Sequence, residues 1–435
     1  MPGGPSDGSV IPSYGGHVAR RIWEGKPRGV LKCYNLTNAC EALVGWKKTA
    51  LPFMQARIDA TGLGHLPSCM FKHIDMPLIS AFVERWQPDT NSFHLPFGEM
   101  TIMLHDVWQI LHIPVDGCLN TSQSSSKDLI HDMSELLGRT PDELVVPPTP
   151  HWSDDGVSIE SILALCRDGT LVGDIDTKFT SWMFLMLGSS LFVDKNESRI
   201  RPSSILEVNY DCDLGKIPKY AWGAATLAFL YRQLGVASRG ACDGIAGCLT
   251  LLQAWIYEYF PCFRPHQKRL TCGPNDPRSL MWSTKMEDNS EARLRSIRTH
   301  LDYLTALEVN WLPYGPNPAS IVPRTLFLGW LRYQDIIEPY MPERVLRQLG
   351  YKQVIPSSIS RPEKAYRPED SKLYNVEFPV MATESTWQIF PRGSKLILSE
   401  FQRNSNPSAC SPEYDDWFFD VSHRYLVDED CSMDR

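Results

Sequence analysis

Two long apolar segments in the middle of the chain restrict its fold more than any other feature. Residues Tyr220–Leu234 and Ala241–Tyr259 are apolar on nearly every side of a helix, and the turn Gly235–Gly240 separates them. A helix that is apolar all round must be buried inside a larger structure. The pair therefore predicts a large helical core, in which each fully buried Leu or Phe side chain contributes about 1.5–3 kcal/mol.

Several other segments repeat their apolar residues at helical spacing. Further helices are predicted at residues 75–86, 104–112, 129–137, 159–165, 179–192, 289–308 and 344–349. Residues 93–103 carry Gly and Pro, which predicts a short extended piece or turn. No period of 20–50 residues repeats, which argues against a solenoid. The sequence predicts a mainly α fold with minor short β elements, as one large globular helical domain.

The chain ends and one internal stretch differ in composition from this domain. Residues 1–30 are rich in Gly, Pro and Ser, so they predict an extended N-terminal arm, anchored to the body by Ile22 and Trp23. Residues 118–156 contain a Ser-rich run and the rigid segment Val146–Pro150. Helical patterns resume on both sides, which favours an insertion loop over a domain boundary. The domain is predicted at 31–425, and 426–435 form a C-terminal tail.

Charge and hydropathy limit the classes of partner. The formal net charge of −8 gives no global attraction to nucleic acid or to an anionic membrane. The N-terminus lacks the apolar core of a signal peptide. The most apolar segment, Gly244–Phe260, is shorter than the roughly 20 residues of a membrane span, so no membrane is expected. The 12 cysteines form no CxxC pair, which favours reduced thiols.

Most motifs that carry known chemistry are absent from the chain. The phosphate loop GxxxxGK[ST], the dinucleotide motif GxGxxG and the zinc helix HExxH do not occur. Gly173-Asp174 matches one fragment of a metallophosphatase motif, but the other elements do not follow, which favours a turn. No catalytic residue, metal ligand or cofactor is therefore predicted, although site residues far apart in sequence would leave no such motif.

A structural zinc site is the strongest metal alternative. Cys262, His266 and Cys272 lie close in sequence, and Cys242 and Cys248 precede them. Zinc prefers four nitrogen or sulfur ligands in tetrahedral geometry. The spacings are irregular and Cys248 lies in an apolar helix, where cysteine usually packs as a small hydrophobe, so the packing interpretation is preferred.

Two histidines form a second candidate cluster. His105 and His112 are seven residues apart, hence on one helical face, and Glu99 and Asp106 lie nearby. A metal or acid–base role is conceivable, but a solvated helix face with a few polar residues is preferred.

A basic helical face is the best candidate for contact with nucleic acid. Arg293, Arg295 and Arg298 lie off the apolar stripe predicted for the helix at 289–308, with His300 beside them. Such a face can neutralise phosphates. Basic residues are also ordinary on a solvated helix, which is the preferred interpretation.

One segment resembles the hallmark of a known family, the plant mobile domain. That hallmark is a GEMT-type stretch, then L-x-D-V, then a small helix ending in L-P-V-D-G. Residues 93–117 read FHLPFGEMTIMLHDVWQILHIPVDG, and the matching positions are Gly98, Glu99, Met100, Thr101, Asp106, Val107, Pro114, Val115, Asp116 and Gly117. His112 departs from the family, where Gly is commoner.

Other segments match the same family in the same order, so the resemblance covers nearly the whole chain. They are Leu191–Lys195, Tyr220–Arg232, Gly247–Trp255, Trp311–Tyr314, Pro342–Gly350 and Trp417–Arg424. They add Trp222, Gly223, Trp255 and Trp311 to the motif positions. Trp, Leu and Gly at such spacing are typical of a core, which predicts a structural role. Glu99, Asp106 and Asp116 are expected to cap helices or to accept buried hydrogen bonds.

The resemblance implies a nuclear protein of the Maintenance of Meristems-like family. It would be a non-enzymatic interaction module that acts in meristem development and in the silencing of genes and transposable elements through protein partners. A phosphatase of the protein phosphatase 7 type is one such partner. The alternative is a transposon-derived DNA-binding or transposition accessory protein. The family is also labelled aminotransferase-like, but no lysine in this sequence has a recognisable pyridoxal phosphate setting.

Overall fold

The architecture is taken from a computed structural model. It describes residues 3–119, 156–167, 175–201, 217–265, 275–357, 387–389, 395–403 and 408–427, together with a few single positions between these ranges. Within them the fold is mainly α with few short strands, as the sequence predicted. Most of the predicted helix at 129–137 and most of the predicted insertion loop at 118–156 lie outside the described residues.

Helices make up most of the regular secondary structure in the described ranges. In chain order they are α1 (Val18–Trp23), α2 (Thr37–Thr49), α3 (Pro52–Ala60), α4 (Leu66–Cys69), α5 (Met76–Val83), α6 (Leu104–Leu111), α7 (Ile159–Arg167), α8 (Ile175–Met186), α9 (Trp222–Ala237), α10 (Leu249–Tyr259), α11 (Glu291–Tyr303), α12 (Pro318–Ile321) and α13 (Pro412–Val421). A π-helical turn, Leu187–Leu191, extends α8, and a 3₁₀ segment spans Pro342–Leu349.

The strands are short and form small separate sheets. They are β1 (Lys32–Cys33), β2 (Trp86–Gln87), β3 (Ser92–Leu95), β4 (Gly98–Met100), β5 (Val157–Ser158), β6 (Arg199–Ile200), β7 (Gly244–Ile245), β8 (Gly329–Tyr333), β9 (Ile336–Tyr340) and β10 (Gln388–Ile389). β2-β3-β4 and β10-β8-β9 are antiparallel three-stranded sheets, β5 pairs with β6 antiparallel, and β1 pairs with β7 in parallel.

The central helical pair is confirmed, with one correction to its second member. Helix α9 is buried along nearly its whole length, and every residue of α10 is buried. The predicted start at Ala241 was wrong, because Gly244–Ile245 form β7 and the helix begins at Leu249. Gly247, with φ +93°, lies in the left-handed region that favours glycine and interrupts any earlier helix.

Other predicted helices are present with different ends. The helix predicted at 75–86 stops at Val83, and Trp86 begins β2. The segment at 289–308 divides into α11 and the 3₁₀ turn Ala306–Glu308. The short extended piece or turn predicted at 93–103 is the hairpin of β3 and β4. These differences lie at element ends, where local pattern is weakest.

The N-terminal arm is not wholly extended, because it contains a 3₁₀ turn at Pro12–Gly16 and helix α1. Val18, Ala19 and Ile22 pack with Leu426 in a small apolar cluster apart from the main core. The C-terminal segment therefore packs on the arm at least as far as Leu426, the residue at which composition predicts the start of a tail.

Candidate functional site

The family-like motif begins in the hairpin of β3 and β4. One face of this hairpin is apolar and the other is polar, and both faces are buried. Side chains alternate along a strand. Phe93 stacks on Trp255, with ring centroids 5.2 Å apart, and faces the core. His94 and Glu99, which are cross-strand partners, belong to the other face. The segment Pro342–Leu349 and helix α13 cover that face, so its charges need internal partners.

Glu99 is the centre of this polar face. Arg344 donates from Nε and Nη2 to the two carboxylate oxygens of Glu99 at 2.6 Å each, and Ser92 Oγ donates to Oε2 at 2.7 Å. Burial alone would raise the pKa of Glu99, but the Arg344 charge and these hydrogen bonds bring it below its usual value. Glu99 is therefore a buried, fully paired anion.

Three buried histidines join the arm, the hairpin and the C-terminal segment. The His423 ring lies 5.2 Å from the His17 ring and 5.7 Å from the His94 ring, centroid to centroid. His17 Nε2 contacts the Trp86 carbonyl at 2.7 Å, and its Nδ1 accepts from the Ala19 amide. Burial is the main reason that the pKa falls to about 3 for His17 and about 4 for His94. All three are neutral hydrogen-bonding groups near pH 7.

Asp106 is the second buried carboxyl group of the motif, at the start of α6. It accepts from the Met103 amide at 2.6 Å and from Tyr259 Oη at 2.8 Å, so it caps the helix, which is one of its predicted roles. No arginine or lysine contacts it among the described residues. Burial raises its pKa to about 8, despite the hydrogen bonds that it accepts.

The motif glycines stand where a side chain would collide. Gly98 has φ +128°, and a Cβ there would lie 2.3 Å from Arg347 Nη2. Gly117 also has φ +128°, and its Cβ would lie 2.1 Å from the Lys219 carbonyl oxygen. Gly223 of α9 lies against Val115, and its amide donates to the Pro114 carbonyl at 2.7 Å. These close approaches explain the glycines without any ligand.

The motif tryptophans and remaining hallmark residues are also structural. The Arg347 guanidinium lies 4.2 Å from the ring centroid of Trp311, and the Trp222 indole donates to the Ile217 carbonyl at 2.8 Å. Gln348 binds both backbone groups of Thr101. Met100 and Val107 are fully buried in the main core.

Asp116 and Gly117 are the exposed part of the hallmark. Arg324 donates to Asp116 Oδ1 at 2.5 Å, and the Trp387 indole donates to the Gly117 carbonyl at 2.8 Å. The Arg324 guanidinium also lies over the Trp387 ring, 4.4 Å from its centroid. This end of the motif therefore holds Trp387 in place against the domain.

The basic face predicted on α11 is corrected by the structure. Arg298 is buried and donates to both carboxylate oxygens of Glu84 at 2.6 Å each, and Arg293 donates to both oxygens of Asp75. Position 298 is one helical turn after Leu294, so it belongs to the stripe that packs on α5. Arg295 alone of the three arginines is exposed.

The two metal hypotheses gain no support from the described residues. His105 is buried, its Nδ1 contacts Thr325 Oγ1 at 2.8 Å, and burial lowers its pKa to about 3. His112 ends α6 in a left-handed conformation. Cys248 is buried, whereas His266 and Cys272 lie outside the described residues. Across the described ranges, no group of three potential ligands is arranged to hold a metal ion.

Sequence reasoning missed the partners that complete this network. Arg344 and Arg347 lie in the segment Pro342–Gly350, which the resemblance matched without a role for its arginines. The alternation of apolar and polar residues through His94 and Glu99 is the signal that could have predicted a polar face needing cations. Nothing in the sequence near His17 or His423 indicated that they meet.

The comparisons with known proteins agree with the resemblance. The model of the plant mobile domain matches residues 62–419. Protein MAINTENANCE OF MERISTEMS from Arabidopsis thaliana is 32% identical over 417 residues, which are 93% of this chain and 81% of that protein. The chain belongs to the plant mobile domain family. No solved structure matches it.

Two other Arabidopsis thaliana relatives extend this picture. Protein MAIN-LIKE 1 is 32% identical over 84% of this chain and 70% of its own length. The Serine/threonine-protein phosphatase 7 long form homolog is 29% identical over 97% of this chain but only 32% of its own length. The chain is thus similar to the larger part of two relatives and to about a third of a longer one. Along the described ranges, no helix is long and apolar enough to cross a membrane.

Proposed function

We propose that this protein is a non-enzymatic interaction module of the plant nucleus, which acts in meristem development and in the silencing of genes and transposable elements. The family membership and the name of the relative at 32% identity support the link to meristems. In this proposal the motif builds a rigid body, and the surface of that body binds protein partners.

The buried pairing of the motif carboxyl groups carries the proposal. Glu99 is held by Arg344, and Asp106 by Tyr259 and the Met103 amide. A general acid or base must reach the proton that it transfers. Both groups are fully buried and occupied by the protein itself, which favours a structural role over a catalytic one.

A phosphatase of the protein phosphatase 7 type is the proposed partner. The relative named as a phosphatase 7 homolog contains a region similar to this entire domain within a much longer chain. Domains joined in one polypeptide meet at high effective concentration. We therefore propose that the similar domain of this chain binds a phosphatase of the same type.

The direct test is affinity purification of the tagged protein from plant nuclei, followed by mass spectrometry. The proposal expects a phosphatase of the protein phosphatase 7 type among the enriched proteins, and the tagged protein itself in the nuclear fraction. A cytoplasmic protein, or a nuclear one that enriches no protein above a tag-only control, would contradict it.

Most of the basic surface on which the DNA-binding alternative depends is occupied by ion pairs. Two of its three arginines are committed to Asp75 and Glu84, so replacing Arg298 would test folding and not DNA contact. The variant that tests it is Arg295→Ala. Salt-dependent binding of duplex DNA that weakens in this variant would restore the alternative, and no binding at low salt would end it.

A further inference from the structure

A surface groove between α2 and α4 is not used by the motif network. Two adjoining cavities, about 530 and 420 Å³, share Val44, Lys48, Pro67 and Ser68 in their walls. No motif residue lines either cavity. Ligand pockets of proteins are commonly of this size, and together the two cavities form an elongated site across the surface.

The groove is basic on a chain that is acidic overall. Its walls carry Lys47, Lys48 and Lys72 against the single carboxylate of Glu41. Lys72 pairs with Glu41, and Lys47 pairs with Asp59 outside the walls. The exposed Lys48 ammonium, at the junction of the two cavities, has no partner among the described residues.

The end of α2 does not need Lys48 to stabilise it. Lysines near a helix C-terminus often bind the last carbonyl groups. In this helix, Gln55 Nε2 donates to the carbonyls of Lys47 and Ala50 at 3.0 Å each. The Lys48 ammonium therefore takes no part in the described capping of α2 and is accessible to another group.

The same surface offers apolar contacts and one unsatisfied hydroxyl. Pro67 and the buried rings of Phe71 and Trp282 form apolar walls. Val44, in the walls of both cavities, and Met70, in the wall of the larger one, add further apolar side chains. Ser279 Oγ borders the groove, is buried, and has no hydrogen-bond partner in the described part of the chain, a condition that is uncommon for buried polar groups.

We propose that this groove binds an acidic linear segment of a protein partner, with a carboxylate or phosphate on Lys48 and apolar side chains against Val44, Pro67 and Phe71. The proposal rests on the interaction-module function and names the kind of segment that such a module recognises. Electrostatic complementarity of this type mainly sets specificity and association rate.

The first test uses the full chain and displayed random short peptides. Enriched peptides should combine Asp or Glu with Leu, Ile or Phe. A synthetic fluorescent copy, titrated by anisotropy, should bind Lys48→Glu about tenfold more weakly than wild type. Lys26→Glu, an equal charge change at an exposed lysine outside the groove, should leave the affinity unchanged.

A steric variant separates groove binding from a general charge effect. Ser68 is exposed and lines both cavities, so Ser68→Trp should block the peptide without changing the net charge. Circular dichroism and a melting curve establish that each variant is folded before it is titrated.

Three results would overturn the proposal. One is the absence of any enriched peptide, another is enrichment without acidic residues, and the third is equal binding by Lys48→Glu and wild type. A DNA duplex that binds wild type and not Lys48→Glu would assign the groove to nucleic acid instead.

The same variants distinguish this proposal from the function on which it rests. If nuclear purification recovers the same partners with wild type and Lys48→Glu, the interaction module stands and the groove is not its site. If wild type recovers no partner, the interaction module fails, whatever the peptides do.

Discussion

Glu99 and Asp106 are carboxyl groups of one motif, seven residues apart and equally buried. Their surroundings nevertheless keep Glu99 ionised and favour the protonated form of Asp106 at neutral pH. Arg344 keeps Glu99 ionised by a two-pronged ion pair, which lowers its pKa. Among the described residues, no arginine or lysine pairs with Asp106, which accepts from the Met103 amide and the Tyr259 hydroxyl, and burial raises its pKa to about 8. The difference shows that burial alone does not determine the charge of a motif residue, because the nearest partner decides it.

The largest expected effect on stability comes from removing Arg344, the cation beside Glu99. Arg344→Met should lower the free energy of unfolding by about 3–5 kcal/mol, because it leaves a buried carboxylate without its partner. Urea denaturation followed by circular dichroism measures this. The double variant Glu99→Gln with Arg344→Met should be more stable than Arg344→Met alone. A loss below about 1 kcal/mol for the single variant would mean that Glu99 is not a paired buried anion.

A smaller loss is expected beside Asp106, where no charge is stranded. Tyr259→Phe removes the hydroxyl that donates to Asp106 at 2.8 Å and also lies 3.5 Å from His105 Nε2, and it should cost about 1–3 kcal/mol. The same denaturation experiment applies, and Tyr303→Phe, at an exposed tyrosine, is the matched control with no expected effect. A Tyr259→Phe loss as large as that of Arg344→Met would remove the contrast between the two carboxyl groups.

The dependence of stability on pH should have opposite sign at the two sites. The folded pKa of Asp106 is raised from 3.8 to about 8, so its contribution is complete below pH 3.8 and is lost as pH rises through 8. Glu99 has a lowered pKa, so its contribution is present above the unfolded pKa and is lost in acid.

Asp106→Asn should therefore flatten the decline in stability between about pH 4 and 8, by at most about 1.4 kcal/mol per pH unit. Denaturation midpoints across this range measure it for wild type and variant in parallel. Identical slopes would show that Asp106 is ionised in the folded protein at neutral pH, like Glu99.

The smallest effect is expected at the exposed carboxylate of the motif. Asp116 pairs with Arg324, but the Asp116 side chain is 59% exposed. Asp116→Asn should change stability by no more than about 1 kcal/mol, and the change should shrink in salt. Thermal melting at low and high ionic strength checks this. A loss comparable with Arg344→Met would show that the motif acts as one unit irrespective of burial.

The sequence predicted the helical class and the central pair, because periodic apolar runs such as Tyr220–Leu234 carry their own signal. It also predicted that Asp106 caps a helix or accepts buried hydrogen bonds. It did not predict which cation meets Glu99, since Arg344 is remote in sequence and pairing over such a distance leaves no local pattern. Arg298 was wrongly predicted to lie outside the buried face of α11, because that face was defined by apolar residues only. Lys48 was missed because a groove depends on how α2 and α4 pack.

The motif builds the fold, and we propose that partners bind elsewhere on its surface. The most direct measurement is quantitative mass spectrometry of proteins that co-purify from plant nuclei with wild type, Asp106→Asn and Lys48→Glu, at equal amounts of folded protein. We expect the same partners for wild type and Asp106→Asn, and their loss with Lys48→Glu. A folded Asp106→Asn that loses the partners, while Lys48→Glu retains them, would contradict this division between the motif and the groove.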